Sequence, residues 1–130
     1  MEAGYSETTL DHYEAPRNRG STTQPDAVAF SLNPVCGDTL RLFLSLRDGR
    51  IEKASFEAEG CVAAVAAGSI TTELVQGLAV EEAASIDREK IETALGGLPP
   101  SRAHGPALAA HVLGLALSQL AQEGRAAELT

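Results

Sequence analysis

Four residues of this chain combine side chains that bind transition metals with positions where structural elements are predicted to end. They are Cys36, Asp38, Cys61 and His104. Cys36 and Asp38 share the run Asn-Pro-Val-Cys-Gly-Asp, in which the proline ends a strand and the glycine allows close backbone approach. A thiolate is a soft ligand and a carboxylate a hard one, so together they suit a borderline metal such as zinc or iron. The four residues are therefore a candidate ligand set.

The spacing of these residues leaves a second interpretation open. The intervals between them are two, twenty-three and forty-three residues, which match no compact zinc-finger pattern. In the alternative, both cysteines are small buried apolar residues and His104 lies in a solvated loop.

Cys61 is predicted to lie at the start of a helix. Unpaired backbone N–H groups and the helix dipole favour the thiolate form of a cysteine at this position.

Three predicted strands flank the turn that carries Cys36. Residues 27–32 form the first, and leucines alternate with other residues through 39–46, which is the period-2 pattern of a half-buried strand. Asp48-Gly49 is typical of a hairpin, after which residues 51–58 return as a third strand. Three strands joined in this way predict an antiparallel meander.

Helices are predicted before and after the three strands along the chain. Residues 5–14 predict a short first helix. After Cys61 the apolar period changes to that of a helix. The predicted buried face of this helix consists of Ala63, Ala66, Ala67, Ile70 and Leu74. A final, largely buried helix is predicted from Pro106 to about Gln122, because proline is favoured at the first helical position.

The order of these elements predicts an α+β fold in which helices pack on a three-stranded antiparallel sheet. Two shorter helices are predicted between the second and the last, over residues 80–84 and 88–95, and Leu98-Pro99-Pro100 is predicted to be an extended link. The 130 residues are expected to form a single domain, 1–130.

Charge and composition restrict the classes of partner. Ten Lys and Arg against eighteen Asp and Glu give a formal charge of −8, which argues against nucleic acid and anionic membrane surfaces as partners. No secretory segment is seen, and the apolar run 107–117 is too short to span a bilayer. We therefore expect a cytoplasmic protein whose two cysteines are thiols or ligands rather than a disulfide.

Several motifs occur together in one order along most of the chain. They are His12-Tyr13 with Pro16-Arg17-Asn18, then Asn33 to Asp38, then Gly60-Cys61, and finally Leu98 to His104. In order and spacing this set resembles the NifU N-terminal, IscU and SufU family of iron–sulfur cluster assembly proteins. The resemblance covers roughly residues 5 to 121.

The resemblance implies a function, a site and partners. It implies a scaffold protein without enzymatic turnover, in which Cys36, Asp38, Cys61 and His104 surround a transient iron–sulfur cluster of the [2Fe–2S] type, or a zinc ion. The implied partners are a cysteine desulfurase, apo iron–sulfur acceptor proteins and an Hsp70-type chaperone. The chaperone would bind the segment that contains Leu98, Pro99, Pro100 and Arg102.

One position departs from the family pattern. The family has a third cysteine directly after the position of His104, where it accepts sulfur from the desulfurase and ligates the cluster, and this chain has Gly105. Two cysteines with His104 and Asp38 would still supply the four ligands of a [2Fe–2S] cluster, since nitrogen replaces sulfur in Rieske centres. Two further hypotheses remain. One is a SufU-like sulfurtransferase, and the other is a degenerate homologue that keeps the fold and partner surface as a regulator or metal-binding protein.

Overall fold

The chain folds into three strands and five α-helices within residues 4–129. The structure, a computed structural model, describes the backbone of those residues and the side chains of residues 4–121. The elements are α1 (Glu7–Glu14), β1 (Ala27–Leu32), β2 (Thr39–Arg47), β3 (Arg50–Glu59), α2 (Val62–Val75), α3 (Val80–Ala83), α4 (Arg88–Ala94), a 3₁₀ turn (Pro100–Arg102) and α5 (His104–Leu129). In this described part, no helix is both long and apolar enough to cross a membrane.

The three strands form one antiparallel sheet in the order β1-β2-β3. Leu42 in β2 pairs with Ala29 on one side and with Phe56 on the other. Asp48 and Gly49 join β2 to β3 with φ values of 54° and 77°, the left-handed pair that a tight hairpin turn requires. The predicted fold class, a three-stranded antiparallel sheet with helices packed on it, is confirmed.

The hydrophobic core is built around α2. This helix contacts α1, β3 and α5. Phe56 of β3 lies so close to Gly68 that an added Cβ would come within 2.6 Å of a ring carbon, so a glycine at this position allows the helix to approach the sheet. The face predicted for α2 is buried at Ala63, Ala66, Ala67 and Ile70 and half-buried at Leu74. The helix is also buried outside this face, because several elements pack against it. Its buried residues are Ala63 to Thr72 and Val75.

A buried hydrogen-bond network holds α1 on α2. Ser69 Oγ accepts the backbone N–H of Arg17 at 2.9 Å and lies 2.7 Å from His12 Nδ1. Because the Glu73 carboxylate near His12 Nε2 can only accept, we assign the proton of the neutral ring to Nε2, so that Nδ1 accepts the Ser69 O–H. The His12 Nε2–H then faces the carboxylate of Glu73 at 3.4 Å. Two residues of the N-terminal motif, His12 and Arg17, thus attach the first helix to the helix that begins at Cys61.

α5 packs one side on the sheet and leaves the other side exposed. Leu108 and Val112 are buried, whereas Leu115 is 40% exposed. The prediction of a largely buried helix is therefore wrong for the outer side of α5. Gln119 fixes the helix along β1, because its side-chain amide accepts the Val28 N–H at 3.1 Å and donates to the Val28 carbonyl at 2.7 Å. These bonds satisfy backbone groups at the open edge of the sheet.

Two boundaries before α5 differ from the prediction. The helix begins at His104 rather than at Pro106, since a proline is tolerated anywhere in the first turn, where its missing N–H is not needed. The predicted extended link is extended at Pro99, with φ −58° and ψ 143°, but its last residue opens a 3₁₀ turn at Pro100–Arg102. A hydrogen bond of 2.8 Å from the Arg102 N–H to the Pro99 carbonyl closes this turn. His104 is thereby placed at a helix N-terminus and not in a loop.

Candidate metal centre

The four candidate ligands meet at one end of the sheet. Cys36 lies in the loop between β1 and β2, and Asp38 directly precedes β2. Cys61 is the N-cap residue of α2, and His104 is the first residue of α5. The antiparallel pairing of β2 with β3 brings the start of one strand beside the end of the other, and so brings Asp38 beside Cys61.

Backbone hydrogen bonds shape the loop that carries Cys36. The Asn33 N–H donates to the Asp38 carbonyl, and the Gly37 N–H donates to the Asn33 carbonyl, both at 2.8 Å. Gly37 has a φ of 79°, which few other residues adopt. The loop therefore points its tip outward, with Cys36 exposed and Val35 93% exposed.

Asp38 lies at the centre of the site and is only 3% exposed. Its Oδ1 accepts the Cys61 backbone N–H at 3.0 Å, and its Oδ2 lies 3.3 Å from Cys61 Sγ and 3.4 Å from His104 Nε2. Gly60 makes this approach feasible, because a Cβ there would come within 2.0 Å of Asp38 Oδ1. Gly60 was not predicted as part of the site, although a glycine directly before a candidate ligand is a signal for it.

The remaining distances place each thiol near the imidazole. Donor atoms of Cys36, Asp38 and His104 all lie within 4.8 Å of each other. Cys61 Sγ lies 3.9 Å from His104 Nε2. Asp38 and His104 thus lie close to both predicted cysteines, Cys61 by direct contact and Cys36 within 4.8 Å. The alternative in which His104 is a solvated loop residue does not agree with this arrangement.

The surroundings shift the pKa values of two of these groups. Burial acts to raise the pKa of Asp38, but hydrogen bonds from Cys36 and Cys61 and the nearby His104 outweigh it and lower the pKa of this carboxyl. Burial, with a smaller contribution from Asp38, raises the pKa of the Cys61 thiol, and the N–H of Ala64 offsets this only in part. The expected thiolate at Cys61 is therefore wrong for the metal-free chain, since desolvation outweighs the helix N-terminus.

Comparison with known proteins decides the family. Residues 4–126 match the family described as the NifU-like N terminal domain. The chain belongs to this family. Among relatives, the iron–sulfur cluster assembly scaffold protein IscU 1 of Archaeoglobus fulgidus is 42% identical over 109 residues, which cover 84% of this chain and 71% of that protein. The IscU scaffold protein of Escherichia coli K12 is 39% identical over 118 residues, covering 88% and 91%.

Solved structures of the NifU-like family share the fold. A putative cluster assembly scaffold protein for the SUF system from Fervidobacterium islandicum superposes with a TM-score of 0.75 at 24% identity, covering 87% of this chain and 96% of that one. The N-terminal NifU-like protein of Brucella abortus gives 0.68 at 21% identity, covering 90% and 94%. At these identities the likeness concerns the fold alone.

Gly105 occupies the position at which the resemblance to the NifU-like family implies a third cysteine. It is buried against the first turn of α2, and an added Cβ would lie 2.7 Å from the Ala63 carbonyl oxygen and 3.0 Å from the Ala63 Cβ. Any side chain at this position requires the first turns of α2 and α5 to separate. The sequence shows the missing cysteine, but only the packing shows that the space is closed.

The predicted partner segment lies beside the site, immediately before α5. Leu98 and Pro99 are half-buried, whereas Pro100 and Arg102 are exposed. Gly4 packs on Pro99, since an added Cβ on Gly4 would lie 2.7 Å from the Pro99 Cγ. The N-terminal end of the described chain therefore covers part of this segment.

Proposed function

We propose that this chain is a scaffold-like iron–sulfur cluster assembly protein that binds metal through Cys36, Asp38, Cys61 and His104. The observation that carries the proposal is the buried Asp38 carboxylate with two thiols and an imidazole around it. A buried carboxylate requires compensating partners, and a bound cation would provide them. The family, and relatives named as IscU scaffold proteins, support the same function.

The donor set suits the proposed cargo, which is a transient [2Fe–2S] cluster or an iron or zinc ion. Two sulfur donors, one nitrogen and one carboxylate oxygen give four ligands, which is the number that a cluster or a tetrahedral zinc ion needs. A bound metal supplies the positive charge that keeps both thiols deprotonated. The chain itself holds Asp38 and Cys61 in place through the backbone hydrogen bond between them. The role is one of binding, with no turnover proposed.

The proposed partners follow from the same function. A cysteine desulfurase would supply sulfur, and apo iron–sulfur proteins would accept the cluster. An Hsp70-type chaperone would bind the segment that contains Leu98, Pro99, Pro100 and Arg102, where the exposed Pro100 and Arg102 give it access. The net charge of −8 suits partners with basic surfaces in the cytoplasm, rather than nucleic acid or anionic membranes.

The test is the metal and sulfide content of protein purified anaerobically and reconstituted with a desulfurase, iron and cysteine. We expect metal in the wild type and its loss in Cys61→Ser and Asp38→Asn. Asp48→Asn is the matched control, because Asp48 is an exposed hairpin residue that already has positive φ. Neither metal nor sulfide in the wild type would contradict the proposal and favour a degenerate homologue.

The exposure of Cys36 favours sulfur acceptance as a second candidate function. Cys36 is exposed, whereas Cys61 is half-buried. The Cys36 thiolate would attack the outer sulfur of the desulfurase persulfide, a new S–S bond would form, and the old bond would break with its electron pair leaving on the desulfurase thiolate. Mass spectrometry should then find one added sulfur atom in the wild type and in Cys61→Ser, and none in Cys36→Ser. An unmodified wild type after incubation with a competent desulfurase would exclude this activity.

A further inference from the structure

Two hydroxyl groups at the start of α1 bind the carbonyl group at which α4 ends. Leu95 is the C-cap residue of α4, and a carbonyl at a helix end has no partner within its own helix. Thr9 Oγ1 donates to the Leu95 carbonyl at 3.0 Å, and Ser6 Oγ donates to it as well. Ser6 also caps α1, since its Oγ accepts the Thr9 N–H at 3.0 Å. The N-terminal end of α1 is therefore fastened to the C-terminal end of α4.

The residues on either side of this attachment lie in close contact. A Cβ added to Gly4 would lie 2.7 Å from the Pro99 Cγ, and one added to Gly96 would lie 3.0 Å from the Ser6 side chain. Residues 4–6 and 96–99 line one common cleft. The chain from Gly4 to Thr9 thus holds the start of the predicted partner segment from two directions, by packing on Pro99 and by hydrogen bonds to Leu95.

This contact restricts what can bind the partner segment. Leu98 and Pro99 are half-buried, and Leu98 packs on the hydrophobic core. A partner that binds a peptide in extended form needs access to its backbone and to its alternate side chains. Thr9 is fully buried, so water does not replace its hydroxyl at the Leu95 carbonyl while α1 stays in place. Full access to Leu98 and Pro99 therefore requires the bonds to Leu95 to break.

We propose that residues Gly4 to Thr9 form a latch, which holds Leu98 and Pro99 closed and opens locally before a peptide-binding chaperone can bind them. The inference rests on the proposed function and adds a regulatory contact to its partner segment. The closed latch lowers the apparent affinity of the chaperone by the fraction of molecules in which the segment is open. Removal of a latch hydrogen bond should raise that fraction.

The test is amide hydrogen exchange of the metal-free full chain, in which Thr9→Val removes the buried donor at nearly constant shape. The amides of Gly97 and Arg102 are the reporters, because both are hydrogen-bonded in the closed state. We expect their exchange to be about 2- to 10-fold faster in Thr9→Val, as for the loss of one neutral hydrogen bond. Low concentrations of urea should change this exchange little in the wild type, since a local opening exposes little surface.

Two variants serve as controls. Thr71→Val is matched to Thr9→Val, because Thr71 is also buried but its Oγ1 has no hydrogen-bond partner in the described part of the chain. Thr9→Ser keeps the hydroxyl donor, so the exchange of Gly97 and Arg102 should stay at the wild-type rate in both. If Thr9→Val does not fold, Ser6→Asp decides, since aspartate still caps α1 but has no proton to donate to the Leu95 carbonyl.

Unchanged exchange of Gly97 and Arg102 in Thr9→Val would overturn the inference, and so would exchange that occurs only through global unfolding, with its strong urea dependence. Binding of a purified Hsp70-type chaperone to the full chain provides the second measurement. Its affinity should rise in Thr9→Val by the same factor as the exchange, and an equal affinity for the two proteins would also overturn the latch. Absence of chaperone binding to both would contradict the proposed partner, and the exchange rates would then decide the latch alone.

Discussion

At the scale of single residues, Asp38 links the fold to the chemistry of the site. Its Oδ1 accepts the Cys61 N–H and thereby fixes the start of α2, while its Oδ2 faces Cys61 Sγ and His104 Nε2. One buried carboxylate thus supports a helix N-terminus with one oxygen and faces the metal-binding side chains with the other. A change that displaces Asp38 should therefore affect stability and metal binding together.

Gly60→Ala tests this double role. The residue has a φ of 139°, and the new methyl group would collide with Asp38 Oδ1. We expect the free energy of unfolding to fall by about 1–3 kcal/mol and the zinc affinity to fall as well, as measured by chemical denaturation and by chelator competition.

Gly49→Ala is the matched control for Gly60→Ala. Gly49 also has positive φ, at 77°, but has open space around it in the hairpin far from the site. It should therefore lose stability through backbone strain alone and keep its zinc affinity. Zinc affinity that is unchanged in Gly60→Ala would contradict the role assigned to Asp38.

The residues that form the candidate site can be predicted from the sequence, but their protonation and packing cannot. Cys36, Asp38, Cys61 and His104 stand out because soft and hard ligands occur at predicted element ends. The raised pKa of Cys61 depends on burial by elements distant in the chain. The closed space at Gly105 likewise depends on how two helices pack, which local sequence does not encode.

At the scale of elements, the attachment of α1 to α2 depends on a neutral histidine. His12 is 4% exposed, and its Nδ1 accepts the hydroxyl of Ser69. Burial and the nearby Arg17 lower the pKa of His12, and the carboxylates of Glu73 and Asp11 offset this only in part. Protonation at Nδ1 would remove the hydrogen bond from Ser69.

This network predicts a pH dependence of stability. Between the lowered pKa of folded His12 and the value of about 6.5 in the unfolded chain, the unfolded state binds more protons, so the free energy of unfolding falls as the pH falls below about 6.5. Denaturant unfolding of the metal-free protein at several pH values should show this slope in the wild type and a smaller one in His12→Gln. An equal slope in the two proteins would contradict the role assigned to His12.

The sequence predicts which segments form helices and strands better than it predicts the residues at which these elements begin and end. The alternating leucines and the Asp48-Gly49 turn predict the meander because period and turn chemistry are local. The start of α5 was wrong by two residues because a proline fits at several positions of a first turn. The burial of α2 outside its predicted face is not predictable from local sequence, because it depends on contacts with α1 and α5, which are distant in the chain.

At the scale of the whole molecule, the sheet and two helices bring the candidate metal ligands to one end of the protein. The exposed Cys36 and Val35 lie at this end, and the predicted partner segment with Pro100 and Arg102 lies just before His104. Asp38, which would hold a metal here, is buried, whereas Cys36, the other proposed ligand from the same loop, is exposed. This asymmetry suits a protein that receives a cargo and passes it on.

The most direct test of the central claim is X-ray absorption at the zinc edge of the zinc-loaded chain. Coordination by the four residues predicts two sulfur atoms at about 2.3 Å and two nitrogen or oxygen atoms at about 2.0 Å. The Cys36→Ser and Cys61→Ser variants should each lose one sulfur from the first shell. A wild-type shell without sulfur, or one that neither substitution alters, would show that the metal lies elsewhere and would contradict the assignment of this site.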